Sequence, residues 1–267
     1  MRLAIQENLL QGNTSIDRFR IAKELGFGAV EVWAKGLDDE RVLALAQAID
    51  ATGLSISGLY MGDLDGYLSE DTDVRDNAID RFRQALADAH DLQIPNVIVA
   101  PQINRPHETV TLSPEQEKTM LIWFVRVVND LAGAMDTAMC LLPLDTTHSR
   151  ALNTLGQAHA YLAEMNFHQA VRLASDFYSL QRDTTLNEQA QAIPFVQNVY
   201  VHAPHTRAPH AHTPEFGALW AAIHTHGFEG VVTLACGLPA TQPHAPLGEA
   251  TLRQFMLDVT KWRKATT

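Results

Sequence analysis

The chain has 267 residues, 46% of them apolar and 19% charged, which is ample for a buried core and excludes disorder as its overall state. Its 31 acidic residues outnumber 20 basic ones, a formal balance of -11, so a nucleic-acid backbone or an anionic membrane surface would be repelled unless a local basic patch met it. No such run of Lys and Arg occurs, and neither nucleic acid nor membrane is expected as a partner.

The first ten residues, Met1 to Leu10, hold one basic residue followed by Gln6, Glu7 and Asn8, which reads as neither a signal nor a transit peptide. No apolar stretch is long enough to span a bilayer. The two cysteines, Cys140 and Cys236, are far apart, which argues against a disulfide scaffold and for a reducing, cytoplasmic setting.

Short β-branched runs alternate with longer amphipathic stretches along the chain, the pattern of β-α units around a parallel sheet. In order, the strands are expected at Leu3–Ile5, Ala29–Trp33, Leu54–Tyr60, Asn96–Ala100, Met139–Leu142, Val171–Asp176, Val199–His202 and Val231–Ala235. Several are nearly continuous apolar runs, as befits strands buried on both faces. Eight parallel strands fit a closed barrel, so the fold class is α/β, a single (β/α)8 TIM barrel in one domain over 1–267.

Between the strands, Ser113-Pro114-Glu115-Gln116 places a capping hydroxyl, a proline at the first helical position and a glutamine at the third. Thr213-Pro214-Glu215 repeats the first part. Ile79, Phe82, Leu86 and Ala89 recur at helical spacing, as do Leu252, Phe255, Val259 and Trp262, and Gly26 and Gly227 mark helix ends. The phrases Gly26-Phe27-Gly28-Ala29-Val30 and Gly227-Phe228-Glu229-Gly230-Val231 echo one another just before a strand, too faintly to define a repeat.

In such a barrel, function belongs at the carboxyl ends of the strands. Asp176 ends an otherwise apolar strand, where a carboxylate can be a metal ligand or general base, or simply cap a helix. His202 ends the next apolar strand, with His205 and Arg207 just beyond; an imidazole ligand and a guanidinium fork would suit a hydroxyl, carboxylate or phosphate. His210, His212, His224 and His226 read as solvated loop or surface residues. Glu31 and Asp145 are further carboxylates near strand ends, and Asp145 could pair with His148. A glycine-rich phosphate loop, a C-x-x-C pair and a G-x-S-x-G elbow are all missing, and no base is identified beside Cys236.

The order of these phrases resembles the sugar isomerase and epimerase superfamily built on the xylose-isomerase-like TIM barrel, which includes sugar phosphate isomerases and epimerases. The resemblance runs from Glu24-Leu25-Gly26-Phe27-Gly28-Ala29-Val30-Glu31 to Gly227-Phe228-Glu229-Gly230-Val231-Val232. Between them, Leu141-Leu142-Pro143-Leu144, Ser175-Asp176-Phe177-Tyr178 and Tyr200-Val201-His202 with Arg207 are similar to the family's fifth, sixth and seventh strands.

In the family's metal-dependent epimerases, a divalent ion is held by Glu, Asp, His and Glu from strands five to eight, and the two glutamates move the protons. Carried over, the Asp falls on Asp176 and the His on His202, but the two Glu positions fall on Leu142 and Ala235. The resemblance thus implies Asp176 and His202 as catalytic residues and metal ligands. It implies Arg207 as a substrate contact and puts Ser179 where the family has a substrate-contacting histidine, while Glu31, Asp145 and His205 are expected as further substrate contacts from their places at the strand ends. Two ligands would hold manganese or magnesium weakly unless other oxygens or the substrate help, so the cofactor stays open.

The expected ligand is a small polar, carbohydrate-like molecule, with the two-glutamate chemistry lost and any reaction altered; a non-catalytic ligand-binding or partner-subunit barrel is the alternative. An endonuclease of the same superfamily would need more metal ligands than this chain offers. Homo-oligomers are common in the family and are allowed here.

Overall fold

In the computed structural model, residues 1–63, 66–67, 69, 71–100, 112–144, 152–166, 170–176, 192–201, 214–235 and 245–265 are described. Eight strands pair in parallel, each with the next in sequence, and the last closes on the first to make a barrel. They are β1 (Arg2–Gln6), β2 (Ala29–Trp33), β3 (Ser55–Asp63), β4 (Asn96–Ala100), β5 (Ala138–Leu141), β6 (Val171–Asp176), β7 (Val196–Val201) and β8 (Val231–Leu234). The described helices are α1 (Ser15–Leu25), α2 (Asp39–Thr52), α3 (Thr72–Asp91), α4 (Pro114–Ala134), α5 (Leu155–Glu164), α6 (Pro214–Thr225) and α7 (Glu249–Ala265).

The period-2 alternation of a strand explains how the core divides. Residues such as Val30, Val32, Val97, Val99, Leu141, Leu173, Val199 and Leu234 turn outward and pack with the helices in one large cluster. Their neighbours, among them Trp33, Tyr60, Ile98, Cys140, Leu142, Ala174, Tyr200 and Ala235, form a second buried cluster. Hydrogen bonds from β7 side chains to Glu31 on β2, across strands that are not neighbours, place this second cluster inside the barrel.

The helix signals act as the sequence predicts. Ser113 and Gln116 form a reciprocal capping box with Pro114 in the first turn of α4, and Thr14 and Asp17 do the same at α1. Gly26 ends α1 in a left-handed conformation (φ 91°) that costs a glycine little. Ile79, Phe82, Leu86 and Ala89 are all buried, as are Leu252, Phe255 and Val259.

Two strands differ from expectation by more than one residue at an end. β7 begins at Val196 instead of Val199, because Gln197 and Asn198 break the apolar run while Asn198 is in fact an inward-facing residue with partners. β3 continues past Tyr60 to Asp63 through a register shift between Tyr60 and Gly62. Among the described residues, no helix is long and apolar enough to cross a membrane.

Candidate active site at the barrel mouth

Within the barrel lies a buried polar network centred on Glu31. The Gln6 side-chain amide donates to Glu31 Oε1 at 2.9 Å, while Asn198 Nδ2 and the Tyr200 hydroxyl donate to Oε2 at 2.9 and 2.7 Å. Thr233 donates in turn to Asn198 Oδ1 at 2.8 Å, which fixes the orientation of the Asn198 amide. Opposite Glu31 on β3 stands Gly58, where a Cβ would come within 2.5 Å of Ile98 Cδ1 and 3.4 Å of Glu31 Oε2. Glycine at that point leaves room for the carboxyl.

Burial raises the Glu31 carboxyl from 4.5 to about 7, the three hydrogen bonds pulling the other way without overcoming desolvation. The Tyr200 phenol is pushed well above its ordinary value, first by burial and then by the charge of Glu31, so it remains a donor. Gln6 Oε1 is buried and accepts no hydrogen bond among the described residues. Its position offers a second state: turning the Gln6 amide over would let that oxygen accept from a protonated Glu31.

Above the network, toward the carboxyl ends of the strands, the interior becomes apolar and aromatic. Tyr60 packs edge-on against both Trp33 and Tyr200, with ring centroids 4.9 and 6.0 Å apart. Leu142 and Ala235 belong to this cluster and are fully buried, so neither strand end offers an oxygen or nitrogen from its side chain. Cys140 is also inside; burial pushes its thiol up to about 12, and Sγ lies 3.6 Å from Asn96 Oδ1 as a weak donor.

Asp176 ends β6 level with Tyr200 of β7, is 7% exposed and follows the inward-facing Ala174 by two, so it shares the interior face. Leu234 pairs with Val201, and the Ala235 amide donates to the Val201 carbonyl at 3.1 Å, so Ala235 sits at the same rim. His202, Asp145, Ser179, His205 and Arg207 lie outside the described residues, as does Cys236. Of the expected site residues, Glu31 and Asp176 are therefore the two whose surroundings are seen: Glu31 within the barrel, Asp176 at its rim. Among the described residues, no three His, Cys, Asp or Glu side chains converge as a metal site.

Sequence reasoning did not pick out Gln6, Asn198, Tyr200 or Thr233. A polar residue at an inward position of a buried strand is the signal for each, and it emerges only once strand parity is fixed.

The comparisons with known proteins agree with this architecture. The model of the xylose isomerase-like TIM barrel family matches residues 19–254. A 3-dehydro-D-guloside 4-epimerase of Escherichia coli (strain K12) is 24% identical over 251 residues, which span 91% of this chain and 95% of that protein. Among solved structures, a 3-keto-D-glucoside 4-epimerase from E. coli superposes with a TM-score of 0.82 at 20% identity over 99% of both chains. A D-psicose 3-epimerase from Clostridium cellulolyticum H10 does so with a TM-score of 0.80 at 14% identity, covering 100% of this chain and 98% of that one. With a closed eight-stranded barrel and a family match over most of its length, the chain belongs to the xylose isomerase-like TIM-barrel family.

Proposed function

We propose that this protein is a sugar-epimerase-like barrel that binds a small carbonyl-bearing carbohydrate at its mouth but does not use the two-glutamate, metal-assisted proton transfer of its relatives. The carbohydrate reading draws on the similarity to a 3-dehydro-D-guloside 4-epimerase over 95% of that protein's length.

The altered chemistry rests on one observation: Leu142 and Ala235 are buried in that same interior cluster, at the rim that Asp176 shares. A leucine and an alanine can neither hold a divalent ion nor accept a proton through their side chains, so the residues present do not fit a four-ligand centre. In this reading Asp176 accepts a hydrogen bond or a proton from a ligand hydroxyl, with His202 as its imidazole partner. Asp145, Ser179, His205 and Arg207 supply further polar contacts. Glu31, held through Tyr200 beneath the rim, keeps a proton available near neutral pH without touching the ligand.

A specific test is incubation of the full chain in deuterium oxide with 3-keto-glycosides, ketoses and hydroxypyruvate. The reading expects these sugars to bind, with no fast deuterium exchange beside the carbonyl. Rapid exchange that depends on added manganese would contradict it. The same apolar pair favours a second reading, a non-catalytic ligand sensor or partner subunit. Asp176→Ala and His202→Ala separate the two: loss of a turnover supports the enzyme, whereas loss of binding alone supports the sensor.

A further inference from the structure

On the same face of the barrel, beside the strand ends already described, the described residues line an open cavity of about 460 Å³. Its walls are Glu7 and Leu10 after β1, Arg18 in α1, Trp33 at the end of β2, Arg41 in α2 and Pro246 after β8. That volume falls within the range of small-ligand sites, roughly 300–1,000 Å³.

The cavity wall carries an Arg–Glu–Arg cluster. Glu7 is 2% exposed and receives two guanidinium groups: Arg18 Nη1 at 3.2 Å on Oε1 and Arg41 Nη2 at 3.1 Å on Oε2. Ser15 Oγ adds a third bond to Oε1 at 2.9 Å. One carboxylate thus organises two cations, and the lining keeps one net positive charge in a protein that is acidic overall. The remaining bonds of the arginines run to backbone, Arg18 Nε to the Gly12 carbonyl at 3.2 Å and Arg41 Nη1 to the Lys35 carbonyl at 3.1 Å. These bonds pin both forks in place at the cavity wall while other N–H groups of each, Arg18 Nη2 and Arg41 Nε among them, make no hydrogen bond among the described residues.

A second, independent observation points to a ligand. Trp33 is 2% exposed, lines the cavity, and its indole N–H is buried with no acceptor among the described residues. Such an unsatisfied donor costs about 1–3 kcal/mol unless something meets it. Trp33 also packs on Tyr60, so the cavity shares a wall with the proposed sugar site.

We propose that this cavity is an oxyanion subsite, in which Arg18 and Arg41 grip a carboxylate or phosphate carried by the ligand while the Trp33 N–H donates to one of its oxygens. The proposal deepens the carbohydrate reading and rests on it for the sugar ring, but not for the anion.

The test is calorimetric titration of the full chain with glucose, glucuronate, glucose 6-phosphate and inorganic phosphate at low and high salt. Glucuronate or glucose 6-phosphate is expected to bind at least about tenfold more tightly than glucose, the worth of one good charge-assisted contact, with the advantage shrinking in salt. The carboxylate and phosphate arms show which oxyanion is preferred. In the Glu7→Gln/Arg41→Gln double variant, which leaves no unpaired buried carboxylate, the preference for the anionic sugar should collapse; Arg41→Lys, keeping charge without the fork, should lose most of it.

Glucose binding as tightly as both anionic sugars would overturn the subsite and leave the carbohydrate reading standing, as would an undiminished preference in the folded double variant. Arginine-dependent binding of inorganic phosphate, lost in the double variant, would support the subsite whether or not a sugar binds. No binding by any of the three anions would overturn it.

Discussion

Glu31 is where the sequence and the structure inform each other most. Its place in the second strand is legible from the sequence, yet its partners Gln6, Asn198 and Tyr200 lie 25, 167 and 169 residues away, and only barrel closure brings them together. Because its folded value of about 7 lies above the unfolded 4.5, the native state holds the proton longer than the unfolded chain does. This group's contribution is therefore most favourable below about pH 4.5 and is lost as pH rises through about 7, a change on the order of 3 kcal/mol. Glu31→Gln should remove most of that fall, since its amide can face a turned-over Gln6 while its oxygen still accepts from Asn198 and Tyr200. Urea unfolding at pH 5 and pH 8 checks this, the gap between the two being smaller in the variant. Glu31→Leu leaves three buried donors without an acceptor and should lose roughly 3–5 kcal/mol at pH 5.

At the scale of elements, the helices were the most legible because their signals are local. The Ser113 cap, Pro114 and Gln116 act within one turn of α4, and Ser113→Ala should cost about 1 kcal/mol in thermal unfolding. Strand limits were less so, as β7 shows: Asn198 reads as a break in an apolar run, and only the carboxylate across the barrel explains a polar residue there. Gly58 carries a similar hidden constraint. Gly58→Ala would drive its methyl into Ile98 and should cost roughly 1–3 kcal/mol, most of it recovered by Ile98→Val, which removes the opposing Cδ1. The strand ends of β5 and β8 carry the functional prediction. Leu142→Glu with Ala235→Glu places two carboxylates back at the rim with Asp176. The double variant should melt at a lower temperature without metal and gain several degrees when manganese is added, whereas the parent chain should gain none.

For the molecule as a whole, eight β-α units were legible because every strand alternates with an amphipathic stretch and pairs with its sequence neighbour. The acidic surplus of the sequence acquires a location: Glu31 and Asp176 are buried, and most acidic side chains in the described helices, Asp80, Glu164 and Glu249 among them, stand at the surface in ion pairs or solvent. The site was legible only in part, since Asp176 announces itself at a strand end while the cavity under Arg18 and Arg41 is assembled from two loops, a strand end and two helices. In the proposed reading the barrel mouth has no metal-assisted proton transfer, because Leu142 and Ala235 stand where two glutamates would be needed. Titration of chelator-treated protein with manganese, read by calorimetry, checks this. No stoichiometric tight site is expected in the parent chain; one manganese bound tightly per chain, and required for turnover of a keto sugar, would overturn the reading.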